Sequence, residues 1–385
     1  FEGVNGSGKH NNWSLATDTG INLLEPGETP HENAQFLLFL CAVIKAVDEY
    51  QDMLRVCVAG AGNDHRLGAS EAPPAVVSIF LGDELTAILE SIEQGSAYDA
   101  KEKVQMKIGV HTLPRFPRDT TDRNRTSPFA FTGNKFEFRM LGSSKSVSGP
   151  NVVLNTAVAE VLGRYADRLE QSADRDATVR ELLQETLEQH GRILFNGDGY
   201  SEEWQQEAER RGLLNLRTAP EAFAHLTEEK NVALFAKHGI FTAAELESRQ
   251  EIHYETYAKC IRIEAATMVE MVRRQILPAG QAALRELGQT SRAKQEISPL
   301  LSCKAEELLG TQVANYNDML LAGCTLLENL LRDFPKESEE QKALFARDRL
   351  LPAMNELRQT ADALEQMCPA HLWPMPTYGE LLYGV

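Results

Sequence analysis

Long apolar runs are absent. No stretch of the 385-residue chain reaches the roughly 20 residues needed to span a bilayer, and no signal peptide opens it. Cysteine is sparse: Cys41, Cys57, Cys260, Cys303, Cys324 and Cys368 form no C-x-x-C pair. This excludes a disulfide miniprotein and leads us to expect buried free thiols in a reducing compartment. A basic excess is also missing. The 39 Lys and Arg stand against 56 Asp and Glu, a net charge of −17, and a field of that sign repels phosphate backbones and anionic membrane surfaces. Neither nucleic acid nor membrane is therefore expected as a partner. Fixed-period repeats and low-complexity segments are absent too. What is present, 43% hydrophobic and 25% charged residues, suits a globular chain of two or three domains with a full core. The chain opens at Phe1 without Met and directly inside a motif, and it reads as the C-terminal portion of something longer.

Residues 1–150 mix helix and strand signals. Thr29-Pro30-His31-Glu32 predicts a helix start, with Thr29 as cap and Glu32 closing a capping box. Ala34 to about Ala59 is apolar nearly all round and reads as one buried helix. Ala75–Leu81 suits a strand or a short buried helix, Gly82–Gly95 a helix, and Lys135–Leu141 alternates strictly as a strand does. From Pro150 helical period dominates to about Met367, with Pro278 and Pro335 among the expected breaks. Thr218-Ala-Pro-Glu221 and Thr242-Ala-Ala-Glu245 are further capping boxes, Ala243–Leu277 reads as one helix, and Lys304–Phe334 and Glu337–Met367 as an antiparallel pair.

Three constellations carry chemistry. Gly3-Val-Asn-Gly-Ser-Gly8-Lys9-His10 falls one residue short of a P-loop. His10 stands where Mg²⁺ needs a hydroxyl, and Asn11–Leu15 continues extended rather than opening a helix. What remains is a Gly-rich turn with either a hydrogen-bonded or a metal-ligating His10. The loop Asn63–Pro74 is either solvated or a mobile flap carrying Arg66 and Glu71. Asp122–Ser127 leads into Asn134–Arg139, where period two sets Lys135, Glu137 and Arg139 on one face and Phe136, Phe138 and Met140 on the other. That strand is either half-buried with a wet face, or it presents Glu137 to a metal and the two cations to anionic oxygens.

In this order the three constellations resemble the glutamine synthetases, most closely their type III branch. The family's Asn-Gly-Ser-Gly-x-His segment is matched by Asn5-Gly6-Ser7-Gly8-Lys9-His10, and its flap by Arg66 with Glu71-Ala72-Pro73. Its Asn-Arg-Ser segment is matched by Asn124-Arg125-Thr126, and its Arg-x-Glu-x-Arg strand by Lys135–Arg139. Gly-Lys-His-Asn-Asn-Trp-Ser, Glu-Ala-Pro-Pro, Gly-Asn-Lys-Phe-Glu-Phe-Arg and the ending near Trp373-Pro-Met-Pro-Thr-Tyr-Gly are similar to the type III branch. The resemblance implies an α+β fold. Residues 1–170 would be the C-terminal part of the catalytic sheet-and-helix domain, followed by an all-helical domain at 171–385.

The resemblance also implies a reaction, in which ATP phosphorylates the γ-carboxylate of glutamate and ammonia displaces the phosphate. His10 and Glu137 would be ligands of Mg²⁺ or Mn²⁺, and their side chains are expected to converge on neighbouring strands. Asn5, Gly6, Arg66 and Arg139 would bind glutamate and ammonia. Glu71 would close the flap and take a proton from ammonium, Arg125 would lie on the transferring phosphoryl group, and Asn12, Ser14 and Lys135 would contact ATP. The sequence departs from the shorter branches at Asn12 (often His), Lys135 (Arg), Ala130 (Arg) and in a flap spacer one residue shorter. Further metal glutamates are expected upstream. A cytoplasmic homo-oligomer, dodecameric by resemblance, is implied. A γ-glutamyl–amine ligase and a non-catalytic helical assembly module are the alternatives.

Overall fold

The computed structural model describes residues 8–69, 72–96, 105–106, 116–117, 127–376 and 378–383. The fold is α+β, a small mixed sheet with helices followed by a long helical stretch. It divides into two compact units, Phe1–Gln250 and Glu251–Val385.

The first unit holds the four-stranded sheet. Its strands are β1 (Gly8–Trp13), β2 (Ile79–Phe80), β5 (Phe129–Phe131) and β6 (Phe136–Gly142), in the order β1-β6-β5-β2. β1, β6 and β5 are antiparallel neighbours, and β2 joins β5 in parallel. Two-residue strands β3 (Gln105–Met106) and β4 (Phe116–Pro117) pair separately. The alternation read in Lys135–Leu141 has its counterpart in β6. Phe136 and Phe138 are fully buried with Phe129, whose ring stacks on Phe136 at 4.6 Å. Each buried phenylalanine stabilises by roughly 1.5–3 kcal/mol.

Helices α1 (Ala34–Glu49), α2 (Gln51–Val58), α3 (Ala61–Asp64), α4 (Asp83–Glu93), α5 (Ser148–Gln171) and α6 (Arg175–His190) accompany the sheet: α2 and α3 pack on β6, α1 on α5 and α6, and α4 on α6. The apolar run from Ala34 is two helices, not one. Tyr50 leaves helical geometry at φ −119°, and Gln51 Nε2 donates to the Asp48 carbonyl in place of a continuing backbone amide. The start of α1 also differs from expectation. Pro30–Glu32 is a 3-10 turn, Thr29 makes no side-chain cap, and Asn33 Oδ1 accepts from Phe36 N at 3.0 Å. Asn33 takes that place because its amide is also tied to the Glu25 and Pro26 carbonyls. Asn33→Ala is expected to cost about 1 kcal/mol and Thr29→Ala almost nothing, as measured by urea melts.

Beyond α6 come α7 (Glu202–Arg210), α8 (Ala219–Ala224) and α9 (Glu229–Lys237). Asn196 Oδ1 accepts from Leu81 N and Gly82 N, which ties this helical stretch to the loop leaving β2. The two capping boxes expected in this stretch form: Thr218 N donates to Glu221 Oε2 and Thr242 N to Glu245 Oε2. Buried Arg55 on α2 forms an ion pair with Asp64, Nη2 to Oδ1 3.1 Å, and donates from Nε to the Leu216 carbonyl. Burial pushes Asp64 up and Arg55 down, while each partner opposes the other's shift.

α10 (Ala243–Met271) crosses into the second unit, which continues through α11 (Leu277–Ile297), α12 (Lys304–Arg332), α13 (Glu339–Phe345), α14 (Leu351–Glu365) and α15 (Tyr378–Tyr383). Pro278 does not break its helix. A π turn at Val272–Ile276 precedes it, and Leu277 N bonds Val272 O five residues back. The wider turn makes room for a ring that would clash with an ordinary i−4 carbonyl. The same device recurs at Ala346–Leu350 before Leu351-Pro352-Ala353. α12 packs antiparallel on α14 with a turn near Pro335, as the sequence suggests, and α12 also lies against α11 and the π turn before it. A Cβ on Gly280 would lie 2.2 Å from Asn317 Oδ1, so α11 approaches α12 more closely than a larger residue allows. All six cysteines are free, but only Cys41, Cys303 and Cys324 are buried, and Cys260 is exposed. No helix among the described residues is long and apolar enough to cross a membrane.

Candidate active site

The pairing of β1 with β6 builds the site. Asn12 lies opposite Glu137 and Trp13 opposite Phe136, while Lys9 opposes Leu141, so the register slips between Lys9 and Asn11. The extra residue of that bulge lies on β6, where Arg139 and Met140 together stand opposite His10. His10 Nδ1 lies 2.7 Å from Glu137 Oε1, bringing together two residues 127 positions apart. The side chains are 55% and 22% exposed, so the pair is reachable from solvent. The alternate residues of β1 anchor it. Asn11 Nδ2 donates to Asn151 Oδ1 at 2.9 Å, and Trp13 Nε1 to Asn155 Oδ1 at 2.8 Å, one turn apart on α5. His10 opens a strand, not a helix, so the P-loop reading has no counterpart here.

Arg139 shares Glu137's parity on β6 but not its exposure. It is 6% exposed and donates from Nη2 to the Ser127 carbonyl at 2.8 Å. The wet-face reading therefore holds for Glu137 and half-exposed Lys135 and fails for Arg139. Arg66 is equally enclosed. Its Nη2 donates to Arg139 O at 3.0 Å and its Nη1 to Met140 O at 3.2 Å, and burial pulls its pKa down. Gly8 permits this, because a Cβ there would lie 2.2 Å from Arg66 Nη2. Asn63 adds a second tie, its Nδ2 donating to both Val58 O and Met140 O. The start of the loop at 63–69 is thus fastened to β6 and is not a solvated segment. Sequence reading passed over Asn63; its place in Gly-Asn-Asp signals only a turn.

Asn12 is exposed, its amide 3.4 Å from His10 O. Ser14 Oγ lies 2.8 Å from Asn22 Oδ1 and 3.0 Å from Asn134 O, a clasp that joins the end of β1 to the turn before β6. Asn22 carries no signal in the sequence, and Asn134 reads there only as the start of the Asn134–Arg139 segment, since nothing in the local pattern links the two. Asn5, Gly6, Glu71 and Arg125 lie outside the described residues. A second group of metal-type side chains, Asp52, His225 and Glu228, has atoms within 4.8 Å of one another. Lys230 Nζ already lies 2.9 Å from Asp52 Oδ2, and His225 Nδ1 lies 2.6 Å from Glu228 Oε1, so protein partners engage these groups.

Residues 178–295 match the family model of the glutamine synthetase C-terminal domain. The whole chain is 44% identical over 394 residues to the type-3 glutamine synthetase of Dictyostelium discoideum, covering 53% of that protein. It is 44% identical over 395 residues to a glutamine synthetase of Butyrivibrio fibrisolvens, covering 55% of it, and 39% identical over 398 residues to that of Bacteroides fragilis, covering 54%. The chain spans about half the length of the curated relatives it matches.

Proposed function

We propose, from the premise that this chain belongs to the glutamine synthetase family, that the protein ligates ammonia to the γ-carboxylate of glutamate through γ-glutamyl phosphate at the expense of ATP. The single observation carrying the proposal is the His10–Glu137 convergence on β1 and β6. An imidazole nitrogen beside a carboxylate oxygen is the donor chemistry of Mg²⁺ or Mn²⁺ sites rather than of thiolate metals. Bound there, the ion would neutralise charge on the phosphates of ATP.

This chain's residues would do the rest. Arg139 and Arg66 would orient the carboxylates of glutamate on the wall that they brace. Asn5 and Gly6 would line the glutamate and ammonia site, and Asn12, Ser14 and Lys135 the nucleotide side. Arg125 would stabilise the transferring phosphoryl group. Glu71 would accept a proton from ammonium and close the site against water, which a γ-glutamyl phosphate requires because it hydrolyses. We read residues 1–170 as the end of the catalytic domain and 171–385 as the helical domain; a family match that starts at residue 178 supports the division. The protein is read as a cytoplasmic homo-oligomer, a dodecamer by family resemblance.

The test is an assay of the protein with ATP, glutamate, ammonium and Mg²⁺, scoring glutamine and phosphate together. Phosphate released without glutamine would defeat the proposal. Glu71→Ala is expected to leave ATP affinity nearly unchanged while lowering turnover strongly, since the carboxylate acts after the nucleotide has bound. Turnover within about threefold of the parent would remove Glu71 from that role.

A further inference from the structure

α12 buries Val313, Leu320, Cys324 and Leu327 within its own unit. A second stripe on the same helix is exposed except at half-buried Gln312. Ala305, Leu308, Gln312, Asn315, Met319 and Ala322 follow one another at alternating steps of three and four, which is the heptad spacing of a coiled-coil seam. Leu308 is 62% and Met319 54% exposed, large apolar side chains that this unit leaves uncovered.

The stripe reads nearly the same in both directions. About a point midway along it, Ala305 corresponds to Ala322, Leu308 to Met319 and Gln312 to Asn315. We propose that this face of α12 is a self-association surface, on which a second copy of the chain packs antiparallel about a two-fold axis between residues 313 and 314. An isologous contact needs a patch complementary to its own rotated image, and the reversal supplies it. A foreign helix would need no such symmetry. Each apolar layer then meets an apolar layer, and Gln312 meets Asn315 of the second copy on both sides of the axis. Two amides can each donate and accept there, and a central polar layer of this kind fixes register.

The flanks agree. The same rotation sets Thr311 beside Asp318 of the second copy and Lys304 beside its Thr325, so no like charges face each other although the chain carries −17 overall. The inference rests on the homo-oligomer reading above and not on the catalytic one.

Disulfide trapping tests it. Leu308→Cys and Met319→Cys are introduced together in a Cys260→Ser background, which removes the exposed native thiol. Positions 308 and 319 lie about 16 Å apart along one helix, beyond the roughly 7 Å that a disulfide tolerates, so they cannot bridge within a chain. Mild oxidation is expected to give a covalent dimer from the double variant and none from either single variant. Both positions are exposed, and an unchanged melting curve checks that the variants fold. Equal trapping of either single variant would contradict the antiparallel register. An oligomeric parent with no trapped dimer would overturn this surface alone. A parent that sediments as a monomer would overturn both the surface and the homo-oligomer reading, while turnover of the parent reports separately on the catalytic one.

Discussion

Glu137→Gln is expected to lower turnover of the protein by about 10²–10³-fold, the loss typical when one preorganised electrostatic contact to a transition state is removed. The substitution keeps the shape of the side chain on β6 and removes only its charge. Glu137 lies 2.7 Å from His10 across the β1–β6 pairing, so the pair is built to act together. His10→Asn should therefore cost nearly as much alone, and the double variant should lose little more than either single one, as groups acting as a unit do. A merely structural ion pair at this exposure would contribute about 0–1 kcal/mol to stability and leave kinetics alone. Titration with Mn²⁺ separates the two cases: weaker ion binding by Glu137→Gln with an unchanged melting temperature supports the metal role. Turnover within tenfold of the parent would reject it.

The second large effect is on stability. Arg55→Met removes the partner of a buried carboxylate and is expected to cost about 3–5 kcal/mol. In a unit of this size that lowers the melting temperature by on the order of 10 °C. Asp64 would keep only the Ala219 amide, 2.7 Å from Oδ2. The loss should depend on pH with a definite sign. Burial already raises Asp64 above the usual carboxylate range, against the pull of Arg55, and removing Arg55 raises it further. A carboxyl raised in the folded state favours folding when protonated. It loses that contribution as pH climbs from the unfolded value, about 3.9, through the folded one. The penalty of Arg55→Met is therefore greatest at neutral pH and shrinks towards pH 4, and Asp64→Asn in the same chain should recover part of it. A penalty that grows on acidification would show that Asp64 is not the source.

The comparison of sequence with structure turns on distance along the chain. β6 was legible as a strand because its alternation is local, although its wet face ends at Glu137 and everything from Phe138 on is buried. His10 and Glu137 were found as a pair through the order of motifs, and the strand pairing supplied what no local pattern holds, the register that sets His10 beside the carboxylate. Arg66 reads as a loop cation, yet its partners are backbone carbonyls of residues 139 and 140, which carry no signature in the sequence. Thr29 and Asn33 both fit a cap, and only the tie of Asn33 to Glu25 and Pro26 decides between them. Pro278 looks like a break because propensity says nothing of a π turn that widens the preceding helix.

β1 is the edge strand of the sheet among the described residues. An edge offers unpaired backbone groups to any other strand, and solutions of such a protein tend to precipitate by edge-to-edge growth. Two features of this edge oppose that. The irregularity at His10 spoils the flat repeat that an incoming strand needs, and Lys9, whose ammonium bonds the Lys145 carbonyl at 2.6 Å, places a charge beside it. The irregular pairing opposite His10 thus also keeps the edge from templating aggregates. Straightening it by removing one of the two β6 residues opposite His10 would cost solubility as well as chemistry.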